Sequence, residues 1–334
     1  MAEDWLAYIG NTPLVRLSRL FANTRGIAVY AKLEMLNPCG STKDRSAARI
    51  LAAAREQGLI GPGSVVVESS SGNMAISLAA ICSRLDMRFI SVVDPKTTPQ
   101  NIRIMRAYGA EIERVEEPDP ATGEYLPARL ARVKALLAAI PGSFWPNQYE
   151  NANNYLAHKN GTMREIADAL GKVDYVLGGV STCGTLLGCA SYVRTHGLAT
   201  RIVAVDAVGS VILGGDKGRR LFPGLGAGIV PPFGQTHFAD EAVLVREADM
   251  VAGCRRLVQR EAILAGPSSG AVVHALGDLL PRLPDGTVCA LILHDRGERY
   301  LDTLYDEDWV ARHLGESALD TRGGVKDAND AVSE

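Results

Sequence analysis

Short, almost uninterrupted apolar runs rich in β-branched residues recur along this chain, and longer stretches with helical spacing lie between them. The runs fall at residues 29–33, 64–67, 89–93, 111–115, 175–177, 201–206 and 288–293. The helical patterns fall at 43–57, 74–84, 99–108, 126–139, 184–195 and 268–280. Strands that are apolar at nearly every position, rather than at every second one, are expected where helices cover both faces of a sheet. Their alternation with helices predicts α/β architecture with mainly parallel sheets. At 334 residues the chain exceeds the usual size of a single core, so two lobes are expected.

Two segments break the rhythm. Residues 116–124 are acidic and proline-rich, and residues 214–234 are rich in Gly and Pro. Both are longer than ordinary connections, which marks them as substrate-facing or mobile. Residues 313–334 turn small, charged and glycine-containing, the composition of a disordered tail.

A net charge of −3, spread along the chain, argues against nucleic-acid or polybasic membrane partners. No apolar run approaches the roughly 18 residues of a membrane helix, and the acidic opening Met1–Trp5 has no signal-peptide character. A soluble, cytoplasmic protein is expected. The six cysteines form no C-x-x-C pair and the histidines show no zinc spacing, so reduced thiols and no metal site are expected.

Four segments carry potential chemistry. The first, N-P-C-G-S-T-K-D-R (37–45), leads from turn residues into an alanine-rich stretch and sets Lys43 at the first turn of a helix. The partial positive charge there disfavours an ammonium and suits a nucleophilic amine able to form a Schiff base, although a solvated surface lysine would also fit. A nucleotide phosphate loop does not fit, because position 38 is proline and the glycine spacing fails. The second, E-S-S-S-G-N (68–73), offers the hydroxyls and backbone N–H groups of Ser70, Ser71 and Gly72 as a carboxylate cradle, with simple helix capping as the alternative. The third, G-G-V-S-T-C-G-T (178–185), follows a strand and opens a helix, so Ser181, Thr182, Cys183, Gly184 and Thr185 can surround a phosphate. It does not fit the dinucleotide pattern G-x-G-x-x-G. The fourth, A-G-P-S-S-G-A (265–271), places Ser268 at a helix start, where a plain N-cap would also explain it.

Taken together and in order, these segments resemble the cysteine synthase branch of the fold-type II pyridoxal-phosphate enzymes. Further matching stretches are I-G-N-T-P-L-V-R-L (9–17), G-L-G-A-G-I-V-P (224–231) and D-R-G-E-R-Y-L (295–301), so the likeness runs from about residue 5 to residue 310. The resemblance implies a tryptophan synthase β-like fold of two lobes, each a mainly parallel sheet flanked by helices. It implies a discontinuous large cofactor-binding lobe (1–39 and 144–312), a small mobile lobe (40–143) and a homodimer. The implied cofactor is pyridoxal 5′-phosphate, joined to Lys43, which also serves as the base for the substrate α-proton. Asn73 would bond the cofactor's 3′-oxygen, Ser181 to Thr185 its phosphate and Ser268 its pyridine nitrogen, with Ser70, Ser71 and Gly72 on the substrate carboxylate. A neutral hydroxyl at the ring nitrogen implies a weakened electron sink, which favours loss of a β-leaving group over transamination. The implied reaction is β-replacement on an amino acid through an aminoacrylate, the work of a transferase.

Several positions depart from ordinary cysteine synthases. Asn73 is followed by Met74-Ala75 instead of Thr-Gly, and the phosphate loop begins with Ser181 and contains Cys183. Together with V-V-D-P-K (92–96), V-E-E-P-D (115–119), N-Q-Y (147–149) and V-D-A-V-G-S-V (205–211), these are similar to siderophore-pathway members of the family. Those members join the amine of L-glutamate to O-phospho-L-serine on the way to 2,3-diaminopropionate. Glutamate brings carboxylates that need orienting, and the planar fork of an arginine suits them. Arg129 is the candidate clamp, with Tyr149 and Ser181 supporting. The alternatives are a cysteine synthase using O-acetylserine or O-phosphoserine with sulfide, a serine-type dehydratase or lyase, and a binding module that has kept only the fold.

Overall fold

The computed structural model describes residues 4–22 and 25–319. Two compact units make up the chain, Met1–Ile9 with Asn37–Ala157 and Gly10–Leu36 with His158–Glu334. These boundaries differ from the expected ones at both ends of the smaller unit, and the contacts give the reason. Trp5, Leu6 and Ile9 pack on the smaller unit's core. Phe144 pairs with its sheet, through Val67 N–H to Phe144 O at 2.9 Å and Phe144 N–H to Val65 O at 2.8 Å. Asn154 accepts from the buried Ser46 hydroxyl at 2.8 Å.

In chain order, β1 (Leu14–Arg16) and β2 (Ala28–Leu33) belong to the larger unit. The smaller unit follows with α1 (Lys43–Glu56), β3 (Val65–Ser69), α2 (Asn73–Arg84), β4 (Arg88–Val93), α3 (Pro99–Ala107), β5 (Glu111–Arg114), α4 (Tyr125–Ala139) and α5 (Ala152–Ala157). The larger unit resumes with a π-helix, His158–Met163, that runs into α6 (Arg164–Leu170). After these come β6 (Tyr175–Gly179), α7 (Gly184–Thr195), β7 (Arg201–Ala207), β8 (Glu241–Val245), α8 (Glu247–Glu261), α9 (Pro267–Leu279), β9 (Val288–Leu293) and α10 (Glu307–Leu314).

The smaller unit carries a three-stranded parallel sheet in the order β3-β4-β5. The larger unit carries a sheet in the order β1-β2-β9-β6-β7-β8, parallel throughout except for the antiparallel β1–β2 pair. Its central strand β9 is buried from Cys289 to Leu293, the two-faced burial that its unbroken apolar run anticipates. Helix α2 is buried at every position from Met74 to Cys82, so it lies inside the smaller core and does not show a polar face.

Local chemistry sets the helix ends. Thr98 caps α3, its hydroxyl accepting from Asn101 N–H at 3.3 Å with Pro99 at the first helical position. Asp306 caps α10 through Trp309 N–H, and this helix begins with Glu307 and Asp308 and ends with Arg312 and His313, matching its dipole. Residues 313–319 were expected in a disordered tail. Instead they complete α10 and a 3-10 turn (Glu316–Leu319), because Leu314 and Leu319 pack on the larger unit's core. Residues 320–334 lie outside the described residues.

The two long connections have structure of their own. In 116–124 the Asp119 carboxylate accepts from the Thr122 N–H and hydroxyl, and Gly123 N–H bonds back to Asp119 O. In 214–234 the Ser210 hydroxyl accepts from Ala227 N–H at 3.0 Å. Gly226 (φ 76°) approaches Asp206 and Ser210 so closely that a Cβ there would lie 2.7 Å from Ser210 Cβ and 2.9 Å from Asp206 Oδ1.

Candidate active site

In the smaller unit, Lys43 is the first residue of α1, as the turn-to-helix sequence predicts. Its helix is tied down by the next residue. Asp44 Oδ2 accepts from Cys39 N–H at 2.7 Å and Oδ1 from the Ser77 hydroxyl at 2.5 Å. One buried carboxylate thus fixes the turn before Lys43 and joins α1 to α2. Asn73 is the first residue of α2, and Gly72 is its N-cap. Ser70, Ser71 and Gly72 fill the turn between β3 and α2, beyond the carboxyl end of a parallel strand, where open α/β sheets place their ligands. The turn is held by Ser91 Oγ donating to Ser70 O at 2.7 Å and by Asn101 Nδ2 donating to Ser71 O at 3.1 Å. Ser70 is partly committed to the helix, since its hydroxyl accepts from Ala75 N–H at 3.2 Å.

Arg129 and Tyr149 come into one electrostatic neighbourhood. The Nε of Arg129 faces Asp94 Oδ2 at 3.4 Å, with side-chain exposures of 12% and 8%. The same guanidinium acts on Tyr149, whose hydroxyl pKa is pushed up by burial, lowered by Arg129 and raised again by Glu68. Glu68 is the residue here that the sequence reading passed over. It is the penultimate residue of β3 and fully buried, its Oε1 accepting from Ser69 N–H at 2.8 Å and Trp145 Nε1–H at 3.1 Å, and its Oε2 from Gln148 N–H at 3.2 Å. Burial pushes its carboxyl up to about 7, against the opposing pull of those donors and of Arg129. A lone acid inside the run V-V-V-E-S was the available signal, because unpaired glutamates are rarely buried.

In the larger unit, Ser181, Thr182 and Cys183 link β6 to α7, and Gly184 and Thr185 open that helix. Cys183 is the N-cap in left-handed backbone (φ 65°) and makes no side-chain cap bond. Such a turn aims successive N–H groups at one point and makes an anion-binding concavity. Burial, reinforced by Asp206, pushes the Cys183 thiol up to about 12, so this cysteine is a neutral wall of the loop. Just upstream, small residues are required by packing. A Cβ on Gly179 would lie 2.8 Å from Leu225 Cδ1 and 3.4 Å from Ser268 Cβ, and one on Gly178 would lie 2.8 Å from Leu186 Cδ2. Ser268, the second residue of α9, therefore sits beside the end of β6. Gly179 N–H donates to His294 Nε2 at 3.0 Å, and His294 N–H donates to Ser269 Oγ at 3.2 Å. His294, beyond the end of β9, and His158 beside Thr185 are further residues that the motifs did not reveal. The left-handed turn, the helix N-terminus and the hydroxyls of Thr182 and Thr185 fit the phosphate ester of a pyridoxal cofactor.

Among the described residues no group of three or more His, Cys, Asp or Glu side chains could hold a metal ion, and no helix is long and apolar enough to cross a membrane. The six cysteines are buried and unbridged.

Residues 6–295 match the family model described as pyridoxal-phosphate dependent enzyme. The N-(2-amino-2-carboxyethyl)-L-glutamate synthase of Ralstonia nicotianae is 49% identical over 313 residues, covering 93% of this chain and 92% of that protein. The synthase of the same name from Cupriavidus metallidurans is 46% identical over 315 residues, again 93% and 92%. Among solved structures, O-ureido-L-serine synthase is 31% identical with a TM-score of 0.83, covering 99% of this chain and 98% of that one. The O-acetylserine dependent cystathionine beta-synthase of Helicobacter pylori is 30% identical with a TM-score of 0.82, covering 91% and 98%. This chain belongs to the pyridoxal-phosphate dependent enzyme family.

Proposed function

We propose that this enzyme replaces the phosphate of O-phospho-L-serine with the amino group of L-glutamate, giving N-(2-amino-2-carboxyethyl)-L-glutamate and inorganic phosphate for 2,3-diaminopropionate and siderophore synthesis. The observation that carries this reading is the near-full-length identity, 46–49%, to two synthases bearing that product's name. The cofactor is pyridoxal 5′-phosphate. When bound, it supplies an electron sink that acidifies the substrate α-carbon and lets a β-substituent leave.

The remaining work falls to side chains. The Lys43 ε-amine would hold the cofactor aldehyde and, once freed, would take the α-proton. Its place at the first turn of α1 suits an amine that must be neutral to act. Asn73 is assigned to the cofactor's ring oxygen, and Ser181 through Thr185 to its phosphate. Ser268 would give the pyridine nitrogen a hydroxyl where an acid would hold it protonated. Ser71, Gly72 and the Ser70 backbone are left to bind the α-carboxylate, which does not need the hydroxyl lost at Met74. Arg129, with Tyr149 and Ser181, would orient the carboxylates of the incoming glutamate. Its ion pair with Asp94 orients the fork.

The test mixes holoenzyme with O-phosphoserine or O-acetylserine and adds glutamate or sulfide. Phosphate release that requires glutamate, with the amino-acid adduct found by mass spectrometry, is expected. Preference for O-acetylserine and sulfide would make the protein a cysteine synthase. Pyruvate formed at full rate from phosphoserine alone would make it a lyase. Lys43→Ala should abolish turnover and the lysine-bound cofactor absorbance, and retention of both refutes the assignment. A homodimer is proposed with this function, and light scattering of the holoenzyme at twice the 35.6 kDa chain mass checks it.

A further inference from the structure

A buried histidine stands behind the loop assigned to the cofactor phosphate. His158 opens the six-residue π-helix His158–Met163, which packs on α7. Its side chain is fully buried. Nδ1 lies 3.0 Å from Thr162 Oγ1, within the same π-helix, and Nε2 lies 3.4 Å from Thr185 Oγ1, in the first turn of α7. The wider π-turn is an uncommon conformation, and stretches of it cluster where a side chain must be placed for function.

A neutral imidazole has one N–H and one lone pair, so the two hydroxyls cannot play the same part. If Nε2 carries the hydrogen, it donates to Thr185 Oγ1, and Thr162 donates to Nδ1. The Thr185 oxygen is then satisfied as an acceptor, and its own hydrogen is directed away from the ring. In the other tautomer, Thr185 spends its hydrogen on the ring. A phosphate ester, an acceptor at every oxygen, is served only by the first arrangement.

We propose that His158 is a positioning residue for cofactor binding, held by Thr162 as the Nε2–H tautomer so that the Thr185 hydroxyl donates to the cofactor phosphate. This rests on the assignment of Ser181–Thr185 as the phosphate cradle. The relay runs one way, from Thr162 to His158 to Thr185 to phosphate, and no proton is transferred along it.

The test uses side chains that replace one ring nitrogen at a time. The glutamine amide reaches where Nε2 was, and the shorter asparagine amide reaches where Nδ1 was. Dissociation constants are measured for pyridoxal 5′-phosphate and for unphosphorylated pyridoxal from the cofactor absorbance, and the bound phosphate is observed by phosphorus NMR. His158→Asn should raise the constant for the phosphorylated cofactor by about tenfold, the worth of one hydrogen bond to a charged group, and leave that for pyridoxal unchanged. It should also shift the phosphorus resonance, while His158→Gln stays within about twofold of wild type on both ligands. If His158→Asn does not fold, Thr162→Val, which removes the donor to Nδ1, carries the same expectation.

Thr185→Val separates the two possible failures. If it weakens the phosphorylated cofactor while both His158 variants bind as wild type, the relay is wrong and the cradle stands. If Thr185→Val has no effect either, the cradle assignment falls and takes the relay with it. Equal losses for both ligands would make His158 a structural residue only and overturn the proposal.

Discussion

Replacing Glu68 by Gln should change how stability depends on pH more than it changes stability itself. The Glu68 carboxyl is buried near the end of β3, and burial raises its pKa from 4.5 to about 7 despite three N–H donors and the charge of Arg129. The folded protein therefore holds this proton more tightly than the unfolded chain does. Below pH 4.5 the group is protonated in both states and costs nothing. As pH rises the unfolded chain ionises first, and folding carries a penalty that grows until the pH passes about 7. A rise of this size corresponds to about 3 kcal/mol at high pH, of which about 2 kcal/mol accrues between pH 5 and pH 8.

Glutamine cannot ionise, so its variant does not carry that penalty. Its NH2 group does oppose one of the three donors, which subtracts a constant amount at every pH. The quantity to follow is thus the difference between variant and wild type across pH, in which the constant cancels. Urea unfolding of the cofactor-saturated protein at pH 5, 6, 7 and 8 should show this difference moving in the variant's favour by about 2 kcal/mol. Parallel profiles would mean that Glu68 does not titrate in this range in the folded protein.

Other expectations follow from burial and close approach. Because burial pushes Cys183 up to about 12, iodoacetamide at pH 8 should label it in urea but not in the native protein, and rapid native labelling mapped to Cys183 by mass spectrometry would contradict this. Gly253→Ala places a Cβ 2.1 Å from Gly270 O, backbone against backbone between α8 and α9, so unfolding should become easier by about 3 kcal/mol; an unchanged urea midpoint would show that the helices separate at no cost. The Ser69 hydroxyl is buried with no partner among the described residues, so Ser69→Ala should be neutral or stabilising by up to about 1 kcal/mol, and a loss of thermal stability would reveal a partner.

The strands buried on both faces were legible because an unbroken apolar run has few other uses: Val288–Leu293 is found as read. Strands β1 and β8 were not. The first has only three residues, Leu14–Arg16, and the second, E-A-V-L-V at the sheet's edge, alternates between half-buried and exposed positions. Helix starts carrying chemistry were readable from turn residues followed by helix formers: Lys43 and Gly184 open α1 and α7 as read, while α2 opens at Asn73, one residue before the stretch read from position 74. The π-helix left no such mark, because its spacing is neither that of an α-helix nor that of a strand. With it went His158, whose partners sit 4 and 27 residues away. Unit boundaries failed for a related reason: Phe144 joins the smaller unit's sheet through backbone hydrogen bonds, which side-chain patterns do not encode.

The role proposed for Arg129 shows what such hidden partners change. From the sequence it is one of three cations on its helix, with Arg132 and Lys134, and nothing there says which carboxylate it meets. In the fold it faces Asp94 at 3.4 Å and shares its surroundings with Glu68 and Tyr149. One ion pair leaves the guanidinium oriented but nearly neutralised, and an ionised Glu68 would turn the local balance negative, against an incoming dicarboxylate. Raising the Glu68 pKa to about 7 lessens that second negative charge at neutral pH and removes it in mild acid, without removing the acceptor atoms that hold Trp145 and the chain at Gln148. Buried acids with raised pKa values are therefore as much a part of an anion site as the arginine that binds the anion, because they decide whether its charge is still available.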